Sequence, residues 1–335
     1  MEFDIGMEKM MRRSPLQWFG SASVAALAVL AALPAAAQSW PTRPVTMVVP
    51  FPAGGAPDIV ARFLSEGLGE RLGQRFIVEN RTGASGNIGA LTVARAAPDG
   101  YTIMMATPYP IGFNKLMSSD LKFDPEQDFV PIAMIGKSPQ ILVSGPSLKA
   151  KNLKEVIAYA AANPGKLNVG IPGIGTTSHI ALEYLLNVSN TKVTTVTYRG
   201  SPPPADIIGG QIDIGVGLVT GYVGMVNSGA LHALVVTSQQ RSEHLPDTPT
   251  AAESGFPDFE ATAWYVLAAP TGTPRDVVQK INAAANDYIR SEKGKKQFFT
   301  LDLQAGGGSP DDAKAFVTSE IVKWGPLIKK VNIRM

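Results

Sequence analysis

The apolar positions of this chain fall into short runs that alternate with stretches of helical period. Val45 to Val49 is a compact apolar run and reads as a buried strand. The segment Pro50-Phe51-Pro52-Ala53-Gly54-Gly55-Ala56-Pro57-Asp58 follows it. Next come Ile59, Val60, Phe63, Leu64 and Leu68, which fall near i, i+4 and i+8 and share one helix face. The opening unit is therefore strand, glycine-rich loop, helix, with Asp58 as a first-turn acid that complements the helix dipole. Gln74 to Glu79 reads as a second strand and Arg81 to Gly86 as a glycine-bearing turn. Asn87 is the candidate N-cap of a helix through Ala97. Pro98-Asp99-Gly100 is a turn, and Tyr101 to Ala106 is a third strand.

Further on, Ile132 to Ile135 and Ile141 to Ser144 are two apolar runs separated by Gly136-Lys137-Ser138-Pro139. Asn152 stands three positions before Glu155, the spacing of a capping box, and Asn163-Pro164-Gly165 stops the helix that follows. Leu167 to Ile171 reads as a strand. It ends in a second glycine-rich loop, Pro172-Gly173-Ile174-Gly175-Thr176-Thr177-Ser178-His179, before a helix over Ile180 to Leu186. Strands are expected at Val193–Tyr198, Ile212–Val216, Leu231–Thr237 and Glu260–Ala269. A short helix is expected at Ala205–Ile208, with longer ones at Pro274–Arg290 and Asp311–Val331. Alternating strands and helices predict an α/β fold with doubly wound parallel sheets.

In such sheets ligands bind beyond the carboxyl ends of the strands. That draws attention to three loops, Phe51 to Gly55, Gly83 to Asn87 and Thr107 to Pro110, with solvent-exposed connection as the plain alternative. Adjacent glycines let the backbone approach a ligand closely, and a helix N-terminus offers free N–H groups to an anion. In the second glycine loop the hydroxyls of Thr176, Thr177 and Ser178 add donors, and His179 can fix the loop by hydrogen bonding as a neutral imidazole. Such donors neutralise a carboxylate without a lysine.

Composition narrows the choice of chemistry. The chain has 335 residues, 45% of them apolar, with 30 basic and 28 acidic side chains and a formal net charge of +2. No basic block stands out after the N-terminal segment, so neither nucleic acid nor a membrane surface is indicated. With no cysteine, thiol catalysis, thiolate metal sites, disulfides and a lipid-attachment cysteine are all excluded. His179, His232 and His244 do not pair at metal spacing, so no metal is expected. Gly170, Gly173 and Gly175 are in the wrong order for a dinucleotide fingerprint, and no nucleotide P-loop occurs. Gly83-Ala84-Ser85-Gly86-Asn87 lacks the last glycine of a nucleophile elbow. The residues thus point to binding without catalysis and without a cofactor.

At the N-terminus, Arg12-Arg13, an apolar core from Ala22 to Leu33 and Ala35-Ala36-Ala37 have the order of a cleavable signal peptide over residues 1–37. The core is too short to span a membrane comfortably. Arg12-Arg13-Ser14-Pro15-Leu16 faintly resembles a twin-arginine signal, and a plain Sec signal is the simpler reading. The expected location is the periplasm.

The opening loop, Leu72-Gly73-Gln74, Val78-Glu79-Asn80-Arg81-Thr82-Gly83-Ala84-Ser85-Gly86 and Pro98-Asp99-Gly100-Tyr101 stand in an ordered set. From Trp40 almost to the C-terminus the chain resembles the solute receptors of tripartite tricarboxylate transporters, also called the Bug family. The resemblance implies a periplasmic binding protein of Venus-flytrap type, with two α/β domains and a ligand cleft between them. Residues 41–142 with 263–335 would form one domain and residues 143–262 the other. The two glycine loops would face each other and hold one ligand carboxylate. The candidate ligand-binding residues are then Phe51, Ala53, Gly54, Gly55 and Asp58 of the first loop, with Ser85, Asn87, Thr107 and Pro108 beside it. From the second half come Gly173, Gly175, Thr176, Thr177 and His179, and also Tyr198, Arg199, Gly200 and Gly217. The last four include departures from the family. Its common Tyr-Lys-Gly is Tyr198-Arg199-Gly200 here, and the second acid of its Asp-Leu-Met-Phe-Asp is Gly217, a change expected to remove charge and add room. Arginine holds a carboxylate bidentately, so the changes favour a second ligand carboxylate over an ammonium group. The implied partners are a small organic acid and a tripartite tricarboxylate-type permease, or alternatively a membrane sensor kinase, with the protein a monomer. A periplasmic hydrolase or isomerase is a weaker alternative.

Export with cleavage after Ala37 makes Gln38 the first residue of the secreted protein. Mass spectrometry of that form should show it, and a retained Trp18 would exclude the assignment.

Overall fold

The computed structural model describes residues 40–334, so the expected signal peptide lies outside the described residues. Residues 40–42 carry no helix or strand, and the chain from Arg43 on forms one compact unit. It opens with β1 (Val45–Val49), α1 (Ala56–Leu72), β2 (Phe76–Asn80), α2 (Asn87–Ala94) and β3 (Thr102–Ala106). The long strand β4 (Phe129–Ser144) leads to α3 (Leu153–Ala162), β5 (Asn168–Ile171), α4 (Thr177–Ser189), β6 (Thr194–Thr197), β7 (Ile214–Leu218) and β8 (His232–Val236). β9 (Thr262–Pro270), α5 (Arg275–Arg290), α6 (Glu292–Thr300), β10 (Gln304–Ala305) and α7 (Pro310–Lys330) complete it, with short helical turns in between.

Local chemistry accounts for the ends of these elements. Pro57 sits in the first turn of α1, where its missing N–H costs nothing, and Gly73 ends the helix at φ 69°, donating its N–H to Gly69 O. Asn152 caps α3 by accepting from Glu155 N, but the Glu155 carboxylate reaches Lys151 N, not Asn152 N, so the reciprocal half of the box is displaced by one residue. A full box closes α7, between Ser309 and Asp312. α2 is shorter than its sequence pattern suggests, ending at Ala94, and Gly86 occupies the N-cap position expected for Asn87.

The sheet order is β2-β1-β3-β9-β4-β7-β5-β6, with β8 and β10 also paired to β4. β1 runs parallel to β2 and β3, and β5 runs parallel to β6 and β7, as the alternating pattern predicts. The centre departs from it, because β4 and β9 pair antiparallel with each other and with their neighbours. The two apolar runs at Ile132–Ile135 and Ile141–Ser144 belong to one strand of 16 residues. Gly136-Lys137-Ser138-Pro139 looks like a turn in sequence, yet these residues pair with Tyr265, Trp264, Ala263 and Thr262. Gly136 is required by a neighbour and not by a turn: a Cβ there would lie 2.7 Å from Gln304 O on β10. Residues 129–139 of β4 lie against β9, whereas residues 140–144 pair with β7 and β8.

Several buried clusters follow this division. Val48, Met104, Trp264 and Val266 meet Ala313 and Val317 of α7. Leu142, Val169, Ile180 and Val216 meet Trp324, Leu327 and Ile328 of the same helix. α7 therefore seats its first half on one cluster and its second half on another. Ile141, Val143, Val219 and Tyr222 form another.

α1 and α5 pack closely at Gly67, where a Cβ would fall 2.2 Å from Cδ2 of the fully buried Tyr288 ring. Gly67→Val should lower unfolding stability by at least about 2 kcal/mol, since overpacking outweighs any propensity gain over glycine. Gly224, which is exposed with nothing near its Cβ position, supplies the control. Gly224→Ala should be neutral or stabilising by up to about 1 kcal/mol in the same denaturant titration.

Candidate functional site

The first glycine loop, between β1 and α1, is held from within. Gly54 takes φ 80° and donates its N–H to Asp58 Oδ2 at 2.9 Å. Asp58 is 2% exposed and also receives Arg62 Nε at 2.9 Å, Arg62 Nη2 at 3.0 Å and Asn80 Nδ2 at 3.0 Å. Burial alone would push its carboxyl up. The Arg62 hydrogen bond, with Gly54 N–H and Asn80, outweighs burial and holds it below the usual carboxylate value. Asn80 Nδ2 additionally donates to Phe51 O at 3.0 Å. Asp58 thus fastens its own loop, and Ala53, Gly54 and Gly55 form the exposed tip.

The turn before α2 packs on this loop. Gly83, Ala84, Ser85 and Gly86 all have positive φ, at 125°, 46°, 52° and 90°. A Cβ at Gly86 would come 3.2 Å from both the Phe51 ring and Pro50. Left-handed backbone at Ala84 and Ser85 is costly and needs an outside hold. The buried Asn114 provides it, with Nδ2 donating to Ser85 O at 3.1 Å and to Asn87 Oδ1 at 2.6 Å.

In the second loop, Gly175 takes φ 74° and donates its N–H to His179 Nδ1 at 3.1 Å. That nitrogen accepts, so the ring proton lies on Nε2, 3.4 Å from Glu183 Oε1. Thr176 caps α4 by accepting from His179 N, and its hydroxyl donates to Gly173 O at 2.8 Å. Tyr198 N donates to Ile171 O, and Gly200 N to Pro172 O, so residues 198–200 lie along the start of this loop. The Tyr198 hydroxyl donates to Asp206, and burial and that bond push its pKa up. Arg199 is exposed and makes no hydrogen bond or ion pair among the described residues.

Tyr109 joins the two loops; it lies in the loop Thr107 to Pro110 that the sequence points to, but was not among the candidate ligand-binding residues. It follows Thr107 and Pro108, and its ring meets the Phe51 ring edge-on with centroids 6.0 Å apart. Its hydroxyl oxygen accepts Thr177 N–H at 2.8 Å and lies 3.4 Å from Thr177 Oγ1. Burial pushes the phenol pKa up against these two contacts, so it stays protonated. Asn80 and Asn114 were also not singled out as positioning residues. Asn114 carried a signal, an amide at the end of the apolar stretch Ile111-Gly112-Phe113.

Two expectations need correction. The glycine loops are not open rows of donors, because the N–H groups of Gly54, Gly175, Thr176, Thr177 and His179 all have acceptors within the protein. Gly217 does not add room either. It is buried in β7, and a Cβ there would lie 3.0 Å from the Tyr222 ring and 3.4 Å from Ser201 Oγ. The aromatic side chain fills the space that the missing acid would have left.

Two loops at helix N-termini, joined across an α/β frame with a shared central strand, are the arrangement of a periplasmic solute-binding protein. The chain belongs to the tripartite tricarboxylate transporter receptor family, whose model matches residues 60–333. It is 32% identical over 308 residues to protein BugT of Bordetella pertussis, covering 91% of this chain and 94% of that protein. Rpa4515 of R. palustris, solved with adipate, superposes with a TM-score of 0.78 at 33% identity, over 88% of this chain and 99% of that one. MatC from Rhodopseudomonas palustris, solved with bound malate, superposes with a TM-score of 0.74 at 31% identity, over 86% and 100% of the two chains. Family members are receptors and not enzymes, so the hydrolase and isomerase alternatives fall away.

Asp58→Asn should loosen the first loop and cost about 1–3 kcal/mol at pH 7, the range for losing hydrogen bonds to a buried charged group. The depressed pKa means that Asp58 stabilises the fold above its unfolded value, about 3.9, and that this contribution disappears as pH falls through the lower folded value. Urea titrations of parent and variant should therefore differ fully at pH 7, begin to converge near pH 4 and meet only below the folded pKa.

Proposed function

We propose that the protein is an exported periplasmic receptor that captures an organic acid with two carboxylates and delivers it to a tripartite tricarboxylate-type permease. One carboxylate lies at the two glycine loops and the other meets Arg199. Residues 41–142 with 263–335 and residues 143–262 act as the two lobes. The bound acid favours the closed arrangement by touching both, as differential contact requires.

The observation that carries this reading is the pairing of an unengaged Arg199 with the loop that Tyr109 ties to Phe51. Gly200 N–H on Pro172 O keeps Arg199 beside the second loop, and no carboxylate among the described residues pairs with its guanidinium. A guanidinium matches a carboxylate bidentately, which a lysine at the same place would not do. Adipate and malate, held by the two similar proteins, are both dicarboxylates. The family supports the receptor role and a permease partner.

Calorimetric titration tests the ligand class. Adipate and malate should bind more tightly than hexanoate and aspartate, and Arg199→Ala should weaken the dicarboxylates by about tenfold or more while leaving hexanoate unchanged, as one charge-assisted contact is worth about 1.5–3 kcal/mol. Equal affinity for all four acids, or no loss in Arg199→Ala, would remove Arg199 from ligand recognition.

A further inference from the structure

Gln140 stands at the point where β4 leaves β9 and begins to pair with β7 and β8. Its main chain is fully engaged. Its N–H donates to Thr237 Oγ1 at 3.0 Å, and its carbonyl accepts Thr237 N at 2.9 Å. The side chain is 1% exposed. Its Oε1 accepts the hydroxyl of Ser178, in the first turn of α4, at 2.5 Å. The amide nitrogen Nε2 of the same group has no hydrogen-bond partner among the described residues.

A buried amide donor without an acceptor is expensive, and one that persists calls for an explanation. A second unpartnered donor lies beside it. Ser178 N–H, the second amide of a 13-residue helix, has no acceptor among the described residues either. The N–H beside it, on Thr177, donates to an oxygen from another segment, the Tyr109 phenol. The helix end is thus already approached by an oxygen that is not its own. Gln140 shares its face of β4 with Ser138, since side chains alternate along a strand. Ser138 is hydrogen-bonded to the buried phenol of Tyr265, whose pKa burial pushes far up, so this neighbour is neutral. Among the described residues no carboxylate or cation is bonded to Gln140, Ser178 or Thr177.

We propose that Gln140 is a ligand-binding residue: its amide Nε2 and the Ser178 backbone N–H together take one oxygen of the acid's carboxylate at the N-terminus of α4. This rests on the carboxylate-receptor reading and gives the second loop donors that are not consumed internally. A neutral amide at this place binds the anion and leaves no buried charge when the ligand departs. The occupant is an anion and not a cation, because the unpaired groups are donors.

The test uses the full secreted protein with adipate and malate as probes, titrated by calorimetry at pH 7.5 and 5.5. Gln140→Met keeps the side-chain length without the donor and should weaken binding at least tenfold. Gln140→Glu places an acid against the ligand's carboxylate and should weaken it about a hundredfold at pH 7.5. Burial beside an anion raises the new glutamate's pKa, so lowering the pH to 5.5 protonates it, restores a donor and recovers affinity relative to the parent at that pH. A merely structural glutamine would not produce that recovery. Binding within threefold of the parent in both variants overturns the proposal and leaves the receptor reading standing. If the parent itself binds neither acid, the receptor reading for these ligands fails, and the proposal fails with it. If Gln140→Glu does not fold, Gln140→Met decides alone.

Discussion

The structure depends on the satisfaction of one strand's backbone. β4 is buried along nearly all of its 16 residues, so water cannot pair its N–H and C=O groups and they need partners within the protein. β9 supplies the partners up to Pro139, and β7 and β8 supply them from Gln140 on. Pro139 falls at the change of partner, where a residue without an N–H disturbs the ladder least. The parallel blocks β2-β1-β3 and β5-β6 with β7 hang from this ladder, and their carboxyl ends carry the glycine loops. Any displacement of β4 would move both loops together, so the geometry of the site is a consequence of strand pairing at the centre.

Given that frame, the loops are stiffened by polar side chains and not by packing. Asp58, Asn80, Asn114 and His179 each hold a stretch of main chain that would otherwise sample many conformations. The cost of ordering these segments falls on folding and not on binding, which is how preorganisation raises affinity. The same bonds consume donors that a ligand could have used. Few N–H groups of the loops remain free, and Arg199 makes no hydrogen bond or ion pair among the described residues.

Tyr109 has a different character. It belongs to the segment after β3, touches the first loop through Phe51, and bonds to the first turn of α4. A phenol joins an apolar ring to a neutral polar tip, so it can bridge two loops without bringing a charge into a buried place. Its contacts and those of α7, which lies on two of the buried clusters, help to tie the two ends of the sheet together.

Most strands and helices were legible from apolar periodicity, because burial of one face imposes the pattern whatever the partner is. The two glycine loops were legible too, since strand, glycines and helix stand consecutively in the chain. Several features depended on residues far apart in sequence and left no local trace. The continuity of β4 across Gly136-Lys137-Ser138-Pro139 came from pairing with β9 more than 120 positions on, which overrode a turn-like composition. The α6 helix, with few apolar positions, was not distinguished from the loop around it. Asp58 read as a first-turn acid and a candidate ligand residue until Arg62 and Asn80 closed on it, and Gly217 read as added room until Tyr222 filled it. The sequence by itself determined the alternating α/β order, the placement of the glycine loops and the family. Only the tertiary structure decided which donors stay free, because a hydrogen bond is made to whatever folding brings near, and chain order does not specify that.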